Sequence, residues 1–127
     1  MERHLKRLVR VLAFIRQRIS PDMPCQQLAL FLSVALEDGI TMADLGKRLE
    51  MSQGSVSKNV RMLSRYLESG QLRGYDLVKA EQDLAERRRF VVNLTPKGRE
   101  VAKQIAALFH DGGENSGSGT VTAEGGA

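Results

Sequence analysis

The chain has 127 residues, 42% hydrophobic and 27% charged, with no Trp, enough for one domain whose single core buries roughly 65% of the unfolded surface. Nineteen Lys and Arg face fifteen Asp and Glu, but Asp111, Glu114 and Glu124 lie in the last seventeen residues, so residues 1–110 carry a net +7 and suit a polyanion, nucleic acid or a membrane surface. A single cysteine, Cys25, excludes an intrachain disulfide and a Cys-rich zinc site, and the apolar run Val11 to Ile15 is too short for a signal-peptide core or a membrane span, which makes the cytoplasm the expected location.

Residues 2–19 place Leu5, Leu8, Val9, Leu12, Ile15 and Ile19 at helical spacing, with Arg3, Lys6, Arg7, Arg10 and Arg18 on the other side. Val11 and Phe14 project toward that basic side, which suggests a second contact such as a partner helix. Pro21 and Pro24 stop the helix. A second helix, about Pro24 to Asp38, is apolar on most sides and therefore central; Gly39 ends it. Thr41 caps a third helix, Met42 to Glu50, with Ala43, Leu45, Gly46 and Leu49 expected to face inward. Ser52 caps a fourth, expected from Gln53 to about Leu67, with an apolar stripe of Val56, Val60, Leu63 and Leu67. Gly54, Lys58, Arg61, Met62 and Arg65 lie opposite, with Ser55 at the edge. Gly70 and Gly74 read as a loop. Leu77 to Ala80 and Arg89 to Leu94 read as two strands around the turn Asp83 to Arg88, and Thr95-Pro96 opens a last helix to about His110. Residues 111–127, with six glycines and no aromatic, are expected to form a disordered Gly/Ser-rich tail.

Ile40 to Leu67 thus reads as a helix-turn-helix. Small residues let the second helix cross the first closely, and the second carries a polar face suited to a major groove. Ser52, Gln53 and Ser55 stand at its N-terminus, where unpaired N–H groups favour a phosphate, and Lys58 and Arg61 lie one and two turns on, within reach of guanine edges or phosphates. The pattern is also that of an ordinary helical hairpin with a solvated basic face. Arg87, Arg88 and Arg89 at the following strand turn could reach a minor groove or phosphates, or pair with Asp83 and Glu86 to hold the turn.

ITMADLGKRLEMSQGSVSKNVRML (40–63) and DLAERRRFVVNLTPKG (83–98) resemble the helix-turn-helix and the wing signature of the MarR family of winged-helix transcription regulators. The resemblance implies a homodimer held by the terminal helices on a palindromic duplex, with the fourth helix in the major groove and the wing in the minor groove. Three departures accompany it. Ala85 stands where the family usually has an arginine, which bears on ion pairing within the wing. About five extra residues between Leu67 and Asp83 leave the register of the first wing strand open. One short C-terminal helix stands where the family often has two, which reduces the dimer interface and any small-molecule pocket beneath it.

The resulting expectation is a mainly α fold with a small β-hairpin wing, a winged helix-turn-helix over residues 1–110. Its function is expected to be sequence-specific binding of double-stranded DNA, as a repressor. Ser52, Gln53, Ser55, Lys58 and Arg61 are assigned to the major groove and Arg87, Arg88 and Arg89 to the wing contacts. Leu8, Val11, Phe14, Ile105, Leu108 and Phe109 are assigned to the homodimer. No cofactor, metal or membrane is implied, and a small-molecule effector is left open. A thiol sensor at Cys25 is disfavoured, since no His or Tyr nearby in sequence supports a reactive site. Two rival readings keep the fold: an accessory protein of plasmid or phage replication, partition or recombination, and a protein-interaction module. An enzyme is not expected, since no P-loop, triad or paired-carboxylate pattern stands out.

Overall fold

The apolar second helix does lie at the centre. In the computed structural model, which describes residues 1–110, α2 (Cys25–Leu36) buries Leu30, Phe31 and Val34 completely. The tail expected over residues 111–127 lies outside the described residues. Against α2 pack α3 (Met42–Leu49), α4 (Gln53–Leu63), β5 (Phe90–Leu94) and α5 (Pro96–Ala107), while α1 (Glu2–Arg18), β1 (Ile40–Thr41) and β4 (Val78–Gln82) contribute Val11, Ile15, Ile40 and Val78 to the same core. The core adds Leu45, Val56, Val60, Leu63, Leu77, Val92 and Leu94, and on its α5 side Val101 and Ile105.

Three helix starts are set by local chemistry. The hydroxyls of Thr41, Ser52 and Thr95 accept from the amides of Asp44, Ser55 and Gly98 at 3.0, 3.1 and 2.9 Å, each satisfying an orphan donor of a first turn. The turn between α3 and α4 passes through Glu50 in the left-handed region, φ 54°, and the Met51 amide returns to the Gly46 carbonyl at 2.9 Å. A Cβ on Gly46 would stand 3.0 Å from the Met51 carbonyl oxygen, so the small residue allows this tight return. Ala43, expected inside, is exposed; Leu45 fills the core position, and Ala43 lies at the mouth of the helix pair.

The sheet has strand order β1-β5-β4, all antiparallel, with Ile40 opposite Val92 and Val78 opposite Leu94. The wing strands are therefore in regular register through Gln82 and Phe90. The fourth helix ends four residues earlier than expected. Leu67, expected on its apolar stripe, lies instead in β2 (Tyr66–Glu68) and is 70% exposed. β2 pairs with β3 (Gln71–Arg73) across Ser69-Gly70, whose φ values of 52° and 78° suit a two-residue hairpin turn. The segment read as a loop, with its surplus residues, is this second hairpin, inserted in the chain between α4 and β4.

Helix α1 also differs from the expectation. Val11, placed on the basic side, is buried against the domain together with Ile15, and Phe14 is half-buried beside them. The larger stripe, Leu5, Leu8, Val9 and Leu12, is exposed at 42–65%. A wheel shows which residues share a face, but here the broader apolar face is the one the protomer does not cover.

Helix α5 meets the sheet through a glycine. A Cβ on Gly98 would overlap the Leu77 carbonyl oxygen, a backbone atom that cannot swing aside. Gly98→Ala should therefore lower stability by about 3 kcal/mol, the upper part of the usual overpacking cost. Urea unfolding checks this, and a loss under about 0.5 kcal/mol would contradict the close approach.

Candidate nucleic-acid interface

Eleven residues make α4 a rod about 16 Å long. Its inward side is Val56, Asn59, Val60 and Leu63, and Gln53, Gly54, Ser57, Lys58 and Arg61 are exposed. Ser52 is also exposed, but its hydroxyl oxygen serves first as the helix cap. Ser55 is half-buried at the edge of the exposed face. Its carbonyl accepts from Asn59 Nδ2 at 2.8 Å, and the same amide approaches its hydroxyl at 3.4 Å. Asn59, not picked out in the sequence, thus fixes Ser55 from beneath. A Cβ on Gly54 would meet no atom within 4 Å, so the first turn offers bare backbone to an approaching ligand.

Arg61 lies in the last turn of α4. Its guanidinium carbon stands 4.1 Å from the ring centroid of Tyr66, the first residue of the extra hairpin. The sequence pattern hides Tyr66, because the apolar stripe of α4 continues past it to Leu67.

The wing tip divides its three arginines. Arg89 braces the turn: its Nε lies 3.6 Å from Asp83 Oδ2, its amide donates to the Glu86 carbonyl, and its carbonyl accepts from the Asp83 amide at 2.9 Å. Asp83 Oδ1 accepts from the Ala85 amide at 3.0 Å, so at this position the backbone, rather than an arginine side chain, meets the aspartate. Arg87 and Arg88 are exposed, and Gln82 Nε2 holds the Arg87 carbonyl at 3.0 Å. Leu84, 96% exposed, projects beside them, an apolar tip that no pattern in the sequence marks out.

The two arms meet in one groove. Met42, Ala43 and Gln53 line one side, and Glu86, Arg88, Arg89 and Phe90 line the other. The structure thus brings Gln53, at the start of α4, together with Arg88 and Arg89, while Lys58 and Arg61 continue along the same helix. Of the residues assigned to a dimer, Leu8 and Phe109 are exposed, Phe14 and Leu108 are half-buried, and Val11 and Ile105 are buried in the protomer's own core. Among the described residues no group of three or more His, Cys, Asp or Glu side chains is placed to hold a metal ion, and no helix is long and apolar enough to cross a membrane.

No protein-family model matches the chain, and no curated protein matches it in sequence. Solved structures do match its fold. A MepR–DNA complex from S. aureus superposes with a TM-score of 0.64 at 19% identity, over 90% of this chain and 81% of that one. MarR matches at TM-score 0.57 and 25% identity, over 80% and 64% of the two chains. The PcaV transcriptional regulator of Streptomyces coelicolor, in complex with its natural ligand, matches at 0.55 and 20%, over 84% and 68%. The fold is the winged helix of MarR-type regulators, five helices and a small antiparallel sheet among the described residues.

The division of labour at the wing predicts a local effect. Asp83→Ala should leave global stability within about 0.5 kcal/mol, as for most surface changes, while amide exchange of residues 84–88 quickens. Unchanged protection there would mean that Asp83 does not hold the tip.

Proposed function

We propose that this chain is a MarR-like, sequence-specific regulator of transcription that binds double-stranded DNA as a homodimer and represses. The observation that carries this reading is the shared groove: the start of α4 and the arginine-bearing wing tip flank one channel on one side of the domain. A helix bearing exposed Gln53, Lys58 and Arg61 suits a major groove, and Arg87 and Arg88 on a hairpin suit the flanking backbone or minor groove. MepR, of the same fold, was solved as a DNA complex, which supports the same partner here. A cytoplasmic location goes with this reading.

The homodimer rests on α1. This seventeen-residue helix, about 25 Å long, touches its own domain chiefly through Val11, Ile15 and their neighbours, while Leu5, Leu8, Val9 and Leu12 stay exposed. Such a stripe is stable in water when a second apolar surface covers it. A second copy, bringing its own α1 and the exposed Phe109, is the occupant that also matches a palindromic site.

Selection from a random duplex pool should return a palindrome with half-sites about one helical turn apart or a multiple of it. On that duplex, Arg61→Ala and Arg87→Ala should each weaken binding and lower the log-log salt slope by up to about 0.9 for each phosphate left without its cation. If both variants titrate like the parent from roughly 50 to 200 mM salt, the assignment of these two arginines to the duplex is wrong. A selection that returns no sequence, beside a stable protein complex, would favour an interaction module. Separately, Leu8→Glu should shift sedimentation from dimer to monomer without unfolding the domain; a monomeric parent would remove the dimer from the proposal.

A further inference from the structure

The β2–β3 hairpin is rooted in the end of α4. The last three carbonyls of that helix, Arg61, Met62 and Leu63, accept from the amides of Ser64, Tyr75 and Leu77 at 3.1, 3.2 and 2.8 Å. Two of those donors lie beyond the hairpin, so its entry and exit are both sewn to the helix. A Cβ on Gly74 would overlap the Ser64 carbonyl oxygen, and Gly74 has a φ of 94°, so the closure at the base also depends on a glycine. Within this frame the Tyr66 hydroxyl donates to Met62 Sδ at 3.4 Å, which ties the half-buried ring to the helix that carries Arg61.

The Arg61 guanidinium carbon lies over this ring, and the residue remains exposed to solvent. A guanidinium held over a ring and still open to solvent is prepared to meet an anion, because binding then costs less side-chain entropy. Among the described residues no ring lies beneath Lys58, Arg87 or Arg88, so this support distinguishes Arg61 from the other exposed cations of the interface. Its place in the last turn of α4, past the residues that lead a recognition helix into the groove, directs it to the sugar-phosphate backbone.

We propose that Tyr66 is a positioning residue, which holds Arg61 ready for a duplex phosphate and so makes the β2–β3 hairpin part of the DNA-binding apparatus. This rests on the duplex-binding reading given above. Tyr66→Leu keeps an apolar plug but removes the ring face. It should weaken binding about two- to fivefold, equally across related sequences, and move the salt slope toward that of Arg61→Ala. Tyr66→Phe should restore both values. In the Arg61→Ala background, Tyr66→Leu should add nothing, since its effect passes through the arginine.

Fluorescence titrations of the full chain and these variants on the selected duplex, with thermal melts alongside, test this. A parent that binds no duplex overturns the duplex reading and this inference with it. A parent that binds, with Tyr66→Leu binding alike or adding its full loss to Arg61→Ala, overturns this inference alone. So does a Tyr66→Leu melt that falls while the salt slope stays put, since that marks a purely structural residue. Should Tyr66→Leu fail to fold, Arg61→Lys, which keeps the charge without the planar stack, should show the same two- to fivefold loss. Parent-like binding by that variant overturns the proposal.

Discussion

The backbone of Leu77 ties the helix-turn-helix, the wing and the last helix into one frame. Its amide satisfies the final carbonyl of α4, and its carbonyl accepts the Thr95 amide at 3.1 Å. The side chain between them is fully buried. Gly98 presses against the same carbonyl, and the Thr95 hydroxyl donates to the Asp76 carbonyl at 2.6 Å as well as capping α5. On the proposed reading α4 and the wing address one duplex, and this requires their relative position to be fixed. Here that position is set by backbone hydrogen bonds around buried Leu77 and Thr95, where an unmade bond is costly. On the far side of β5, Asp38 reinforces the arrangement: Oδ1 accepts from the Leu94 amide at 2.8 Å, and Oδ2 lies 3.3 Å from Arg99.

Charge is distributed in keeping with this frame. The wing spends Arg89 on its own turn and leaves Arg87 and Arg88 exposed, while outer wing residues pair among themselves, as Lys79 does with Glu81 at 3.2 Å. Exposed pairs of this kind add little stability. Their effect is to set how much positive charge remains open near the groove, which bears on how an anion approaches.

What is legible in the sequence is what is local. Thr41, Ser52 and Thr95 mark three helix starts because a cap needs only a hydroxyl and the amide three residues on. The wing strands and the central helix follow from hydrophobic pattern. The end of α4 is not legible, because its last carbonyls are met by Tyr75 and Leu77, more than ten residues downstream, and no local residue announces the stop. A helix carried to Leu67 leaves no place for the Tyr66 ring beneath Arg61. The partition of the wing arginines needs the strand register, which places Arg89 beside Asp83. On α1 the pattern shows two apolar faces, but not which of them the protomer covers.

The extra hairpin has a consequence for how such a domain tolerates change. Its first and last residues, Tyr66 and Arg73, stand opposite each other on one antiparallel rung. Whatever lies between them begins and ends at nearly the same point, so its length does not alter the distance between helix and wing. Lengthening it costs the domain only a slowly growing loop-closure entropy. The position behaves as a socket: a segment inserted there is displayed at the rim of the helix, while the spacing of the two arms stays constant.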